Sequence, residues 1–139
     1  METKPVDLRS LFTYMDMSQF EAEFDTEEKC LRMLASLKWH DGFQCRKCGS
    51  TKYGKGKTAY SRRCTSCKTE ESATANTIFH HCRIKLPMAF EIAYRVCGNP
   101  GITASSLSEI LDTRHMTCLN FKKKILECVA SHGDFARRA

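Results

Sequence analysis

Cys45, Cys48, Cys64 and Cys67 form two CxxC pairs with fifteen residues between them. This spacing constrains the fold more than any other feature of the chain. Two residues between thiols let a tight turn aim both sulfurs at one ion, and four such ligands are what tetrahedral zinc takes. Gly49 follows the first pair and admits the positive φ that such turns use. The insert is long enough for a hairpin that returns the second pair to the first. Four thiolates leave no coordination position for water or substrate, so the expected cofactor is one structural zinc. A small thiol oxidoreductase is the competing reading, but a redox CxxC needs a thioredoxin-like βαβ context that the flanking sequence lacks.

The other cysteines, Cys30, Cys82, Cys97, Cys118 and Cys128, have no paired spacing. Most lie on or beside apolar helical stripes and read as small buried hydrophobes. His80 and His81 precede Cys82 without a second ligand pair, and read as surface or packing residues. The N-terminal stretch METKPVDLRSLFTYMDMS carries acidic residues and no apolar signal core, so a reducing, cytoplasmic setting is expected. No apolar run approaches the roughly eighteen residues of a membrane span.

Charge is unevenly spread. Residues 1–40 hold five basic and eight acidic side chains, whereas residues 41–68 hold eight basic ones against Asp41 alone. A middle segment this positive implies a polyanionic partner, of which nucleic acid is the commonest.

The patterning predicts an α+β chain in three parts. A helical lead-in occupies 1–40, with capping-box spacings at Ser18/Glu21 and Asp25/Glu28. Phe20 and Phe24 share one helical face, and Cys30, Leu31, Leu34 and Leu37 continue an apolar stripe on a helix after Thr26. A zinc ribbon occupies 41–80, with β-type runs at 51–53, 58–63 and 71–77 broken by Gly54 and Gly56, which suggests a hairpin and a third strand. The segment 85–131 is helical. Pro87 fits the first turn of LPMAFEIAYRVC, and GNPG stops that helix.

Two further helices follow, joined by a tight turn. Thr103 caps the first, whose apolar face is Leu107, Ile110 and Leu111; Asp112 and Thr113 break it, and Thr113 is the expected cap of the next. Cys118, Phe121, Ile125 and Cys128 line one side of that last helix, with Met116, Asn120 and Lys123 opposite. Three helices with a short turn before the last have the layout of a helix-turn-helix. In that layout Arg114, His115, Thr117 and Asn120 face base edges, while Lys122, Lys123 and Lys124 meet phosphates. Lys52, Lys55, Lys57, Arg62 and Arg63 of the hairpin would grip phosphates or a neighbouring groove.

The order of parts resembles the N-terminal region of the ISXO-like insertion-sequence transposases. The resemblance is carried by Trp39, Gly42, the motifs CRKCGS, YSRRCTSC, TANTIF and KLP, and the stretch SSLSEILDTRHMTCLNFKKKI, and it spans residues 18–130. The four cysteines match, whereas TANTIF departs from the usual TGTIF at Ala75 and Asn76, and Cys118 and Leu119 replace the Ala-Trp of a Thr-Ala-Trp run. The resemblance implies binding to double-stranded DNA such as transposon terminal inverted repeats, in the nucleoid.

In that family a catalytic domain with an acidic triad and magnesium follows the helix-turn-helix. Here only Asp112, Glu127 and Asp134 are acidic after Ile110, so the expectation is a DNA-recognition protein that is not itself an enzyme. An N-terminal fragment, a truncated remnant and a free-standing binder all fit that expectation. A second copy or a separate catalytic chain are the further partners it leaves open. The alternative is a zinc-stabilised protein-interaction module that makes no direct contact with DNA.

Overall fold

The computed structural model describes residues 7–80, 84–131 and 133–136. Among them the order is α1 (Leu8–Thr13), α2 (Met17–Glu23), α3 (Glu27–Lys38), β1 (Tyr53–Lys55), β2 (Arg62–Cys64), β3 (Glu70–Glu71), α4 (Leu86–Gly98), α5 (Ala104–Leu111) and α6 (His115–Ala130). The architecture is α+β, a small antiparallel sheet of order β1-β2-β3 with helices before and after it.

The N-terminal helices begin elsewhere than the capping-box spacings suggested. Asp16, not Ser18, caps α2: its carboxylate accepts from Gln19 N–H at 2.8 Å, while Gln19 Oε1 accepts from Asp16 N–H at 3.0 Å. Thr26, not Asp25, caps α3 through its hydroxyl and Lys29 N–H. Asp25 instead pairs with Lys29 at 2.8 Å. Helix α1 was not anticipated; it is a single capped turn, with Asp7 accepting from Ser10 N–H at 2.7 Å, which buries Leu8 and Phe12.

Phe12 explains why this short helix matters. Its ring meets Phe20, Phe24, Phe90 and Tyr94, each within about 6 Å and near edge-on in three of the four. Tyr94 also donates its hydroxyl to the Met15 carbonyl at 2.7 Å, tying the lead-in to α4. Phe79 stacks obliquely on Phe90 and reaches Phe121 of α6, so one apolar cluster runs from Leu8 to Ala136.

Pro87 lies in the first turn of α4, and Asn99 of GNPG ends it. Thr103 caps α5 as expected, accepting from Ser106 N–H. Asp112 ends α5 in the left-handed region at φ +50°, but Thr113 does not cap α6. Its carbonyl accepts from the Ser108 hydroxyl, and Arg114 takes the cap position without a side-chain bond. Ile110, expected on the apolar face of α5, is 48% exposed. Cys30 and Cys118 are buried, as packing cysteines should be, and burial pushes the Cys30 thiol up to about 12. Cys97 and Cys128 are half-buried, while His81 and Cys82 lie outside the described residues.

The third β-run also differs: β3 covers only Glu70–Glu71, and residues 72–80 turn instead. Thr77, Ile78 and Phe79 are buried there, so their β-branched and aromatic character serves the core and not a strand. Asn76, one of the two departures from TGTIF, takes φ +61°, a conformation asparagine tolerates better than most residues.

Lys38 was missed, although it lies four residues after Leu34 and therefore on the apolar stripe. Its side chain is 3% exposed, and its ammonium meets Glu71 at 2.6 Å and donates to the carbonyls of Ser72 (2.8 Å) and Ala75. Burial lowers the Lys38 pKa, against the opposing pull of Glu71. Truncating one member of a buried pair strands the other's charge, so Lys38→Met should cost about 3 kcal/mol in urea unfolding. Lys38→Met/Glu71→Leu should recover most of that; a single variant as stable as the parent would contradict the buried pairing.

Candidate metal centre and nucleic-acid interface

Each CxxC is a turn of the same construction. In the first, Cys45 N–H donates to Ser50 O at 2.8 Å and Gly49 N–H to Cys45 O at 2.9 Å. In the second, Cys64 N–H donates to Thr69 O at 2.9 Å and Lys68 N–H to Cys64 O at 3.0 Å. The residue after each second cysteine has positive φ: Gly49 at +78° and Lys68 at +66°. The sheet sets the turns face to face, since Cys64 ends β2 opposite Tyr53 of β1 and Thr65 N–H reaches Lys52 O. The Ser66 hydroxyl donates to Ser50 Oγ across the gap at 3.2 Å.

All four sulfurs consequently lie within 4.8 Å of one another, the one such donor cluster among the described residues. Cys45–Cys67 and Cys48–Cys64 are each 3.5 Å apart. A disulfide would need about 2.05 Å. A tetrahedron with zinc–sulfur bonds of about 2.3 Å has edges of about 3.8 Å. The donor set therefore fits one structural zinc, held by Cys45, Cys48, Cys64 and Cys67 with no open position.

The local hydrogen bonds favour thiolates. A hydrogen bond with the Thr69 hydroxyl, helped by the Thr69 backbone, brings Cys67 down to about 6. The Cys67 N–H, 3.5 Å from Cys64 Sγ, lowers Cys64. At Cys48 a backbone bond from Ser50 works the same way, but the neighbouring sulfurs outweigh it and push the thiol up to about 12. Arg46, Lys47 and Lys68 adjoin the ligand cysteines in the chain and add positive charge near the centre, Arg46 also meeting Glu71 at 3.6 Å.

The basic residues divide between two places. On the sheet, Lys55 opposes Arg62, which opposes Glu71, while Gly54 opposes Arg63, which opposes Glu70. Side chains alternate along strands, so these rows point to opposite faces. Lys52, Lys55, Lys57 and Arg63 are exposed. Arg62 is not freely presented: its guanidinium carbon lies 4.7 Å from the Trp39 ring centroid and 4.2 Å from that of Tyr53. Glu70 holds the hairpin loop, accepting from Lys57 N–H at 3.0 Å and from the Ser61 hydroxyl at 3.1 Å. These aromatic and carboxylate partners carry no local sequence signature. On α6, Arg114, His115, Asn120 and Lys123 are exposed, whereas Thr117, Lys122 and Lys124 are half-buried.

Short antiparallel strands carrying two opposed thiolate turns define a zinc ribbon. Residues 25–70 match the family model of the transposase zinc-ribbon domain, from α3 to the start of β3 and short of α4. This part of the chain thus resembles the zinc ribbon of insertion-sequence transposases, as its cysteines and flanking motifs implied. No curated protein and no solved structure matches the chain. No helix among the described residues is long and apolar enough to cross a membrane.

The two turns yield opposite predictions. Gly49→Ala places a Cβ in the left-handed region and should lower stability by about 1–2 kcal/mol, although nothing lies near that Cβ. Lys68→Gly relieves the same strain and should raise stability by up to about 1 kcal/mol. Thermal melting of the zinc-loaded variants measures both, and equal shifts of one sign would contradict the paired-turn geometry.

Proposed function

We propose that the chain binds double-stranded DNA, with α6 reading sequence and the ribbon hairpin holding the phosphate backbone. The observation that carries this reading is the transposase-type zinc ribbon at residues 25–70, whose middle segment is basic almost without compensation. The layout of α5 and α6 supports it. Three residues, Asp112 to Arg114, join them, and both helices pack on one another with α4 against α6. This spacing and packing support reading α5 and α6 as a helix-turn-helix, a motif whose second helix lies in the major groove with its N-terminal residues at the bases.

In this reading Arg114 and His115 enter first. Asn120 offers paired hydrogen bonds to adenine, and the neighbouring Met116, 60% exposed, offers an apolar contact for a thymine methyl. Thr117 lies at the edge of this face. Lys122, Lys123 and Lys124 meet phosphates further along, as do Lys52, Lys55, Lys57 and Arg63 on the sheet. Arg62, clasped by two rings, serves as a strut under the hairpin. Zinc supplies the folding energy that orders the ribbon, roughly 10–16 kcal/mol of apparent binding free energy in structural sites.

The resemblance makes transposon terminal inverted repeats the first target to test. With its metal centre closed to substrate, the ribbon's proposed role is recognition and not strand cleavage. A protein-docking role is favoured by one observation: Ile110 rims a groove of about 480 Å³ between the lead-in and α4, where Phe20, Phe24, Pro87 and Met88 contribute apolar walls.

Salt separates the two readings. About six phosphate contacts give a log–log slope of binding against salt near −5. Lys123→Ala should weaken every duplex alike and reduce the slope by about one. Asn120→Ala should cost about 1–3 kcal/mol on the preferred sequence and flatten preference at one base pair. Fluorescence anisotropy on labelled duplexes measures these, and a salt-independent interaction would favour docking to protein.

A further inference from the structure

We propose that Tyr53 is a stacking platform for an unpaired nucleobase, a second nucleic-acid site on the ribbon distinct from the groove-reading helix. It rests on the reading that this ribbon contacts nucleic acid. Trp39, Arg62 and Tyr53 form a layered stack in which the guanidinium lies between two rings, at 4.7 Å and 4.2 Å from their centroids. The inner ring, Trp39, is 7% exposed, whereas the outer ring, Tyr53, is 47% exposed. Phe43 touches Tyr53 obliquely, with centroids 5.3 Å apart and planes at 48°.

Arg62 and Phe43 therefore account for the inward contacts of Tyr53 and leave much of its surface to solvent. An aromatic ring held this way has lost its rotational freedom before any ligand arrives, which lowers the cost of binding. Exposed Lys55 lies two residues along the strand on the same face, and exposed Lys52 immediately precedes Tyr53, so ammonium groups are near for the phosphates of a stacked nucleotide. A π-face bordered by ammonium groups is the chemistry that takes single-stranded nucleic acid with little sequence preference. A purely apolar peptide would gain nothing from the lysines.

The test uses the full zinc-loaded chain and three DNA probes: a blunt duplex, the same duplex with a short single-stranded overhang, and a single strand carrying a fluorescent adenine analogue. Stacking on Tyr53 should quench the analogue, and the overhang should tighten binding over the blunt duplex. Tyr53→Leu should weaken single-strand binding roughly 5- to 100-fold, while Tyr53→Phe should retain it. Blunt-duplex binding should stay unchanged in both. Zinc content and melting temperature confirm that each variant is folded, and quenching in the parent protein needs no variant at all. An unquenched analogue, or single-strand binding indifferent to Tyr53→Leu, overturns the proposal. If the blunt duplex does not bind but quenching persists, the groove-reading role fails and this site stands. If the duplex binds and Tyr53→Leu changes nothing, this site alone fails.

Discussion

The four-thiolate centre is the constraint on which the rest depends. The sheet it joins has strands of two and three residues, too short to hold a register by backbone pairing alone. Metal ligation fixes what pairing cannot: once Cys45 and Cys48 share an ion with Cys64 and Cys67, β1 must lie beside β2. The fifteen residues between the pairs then close into the basic hairpin. Its loop is pinned from the other side by Glu70, so charge is displayed on a rigid support.

That rigidity reaches the helices through a small number of specific contacts. Lys38 carries the end of α3 into the turn after β3 by its ion pair with Glu71 and its bonds to two carbonyls. The Tyr60 hydroxyl donates to Glu28 at 3.1 Å, a second tie from hairpin to α3. Phe79 then leads from the ribbon into the aromatic core shared by α1, α4 and α6. Ribbon and helices are thus parts of one packed structure, and loss of zinc should be felt beyond the sheet.

The cysteine ligands were legible because metal geometry fixes their spacing, and the helices were legible because burial fixes apolar period. Pro87 and Thr103 were readable as helix starts for equally local reasons. Caps were less so: Ser18 and Asp25 have the right spacing, but Asp16 with Gln19 and Thr26 with Lys29 make the cap hydrogen bonds, and several polar residues in succession offer the same local signal. Lys68 in the left-handed region carries no signal, since only its equivalence to Gly49 reveals the need. Arg62 looked like one more basic hairpin residue, and only the fold brings Trp39 and Tyr53 to either side of it. Thr77–Phe79 looked like strand because β-branched and aromatic residues suit any buried extended or turning segment.

In the proposed function, a ribbon ordered by zinc and a helix pair with an exposed polar face serve together as a recognition device for DNA. The most direct measurement is to mix the zinc-loaded protein, and a chelated sample of it, with fragmented DNA from its own source organism and to sequence what each retains. The account predicts that the loaded protein enriches paired inverted repeats flanking a mobile element and that the chelated protein does not. Failure of the loaded protein to retain any DNA at low salt would contradict it.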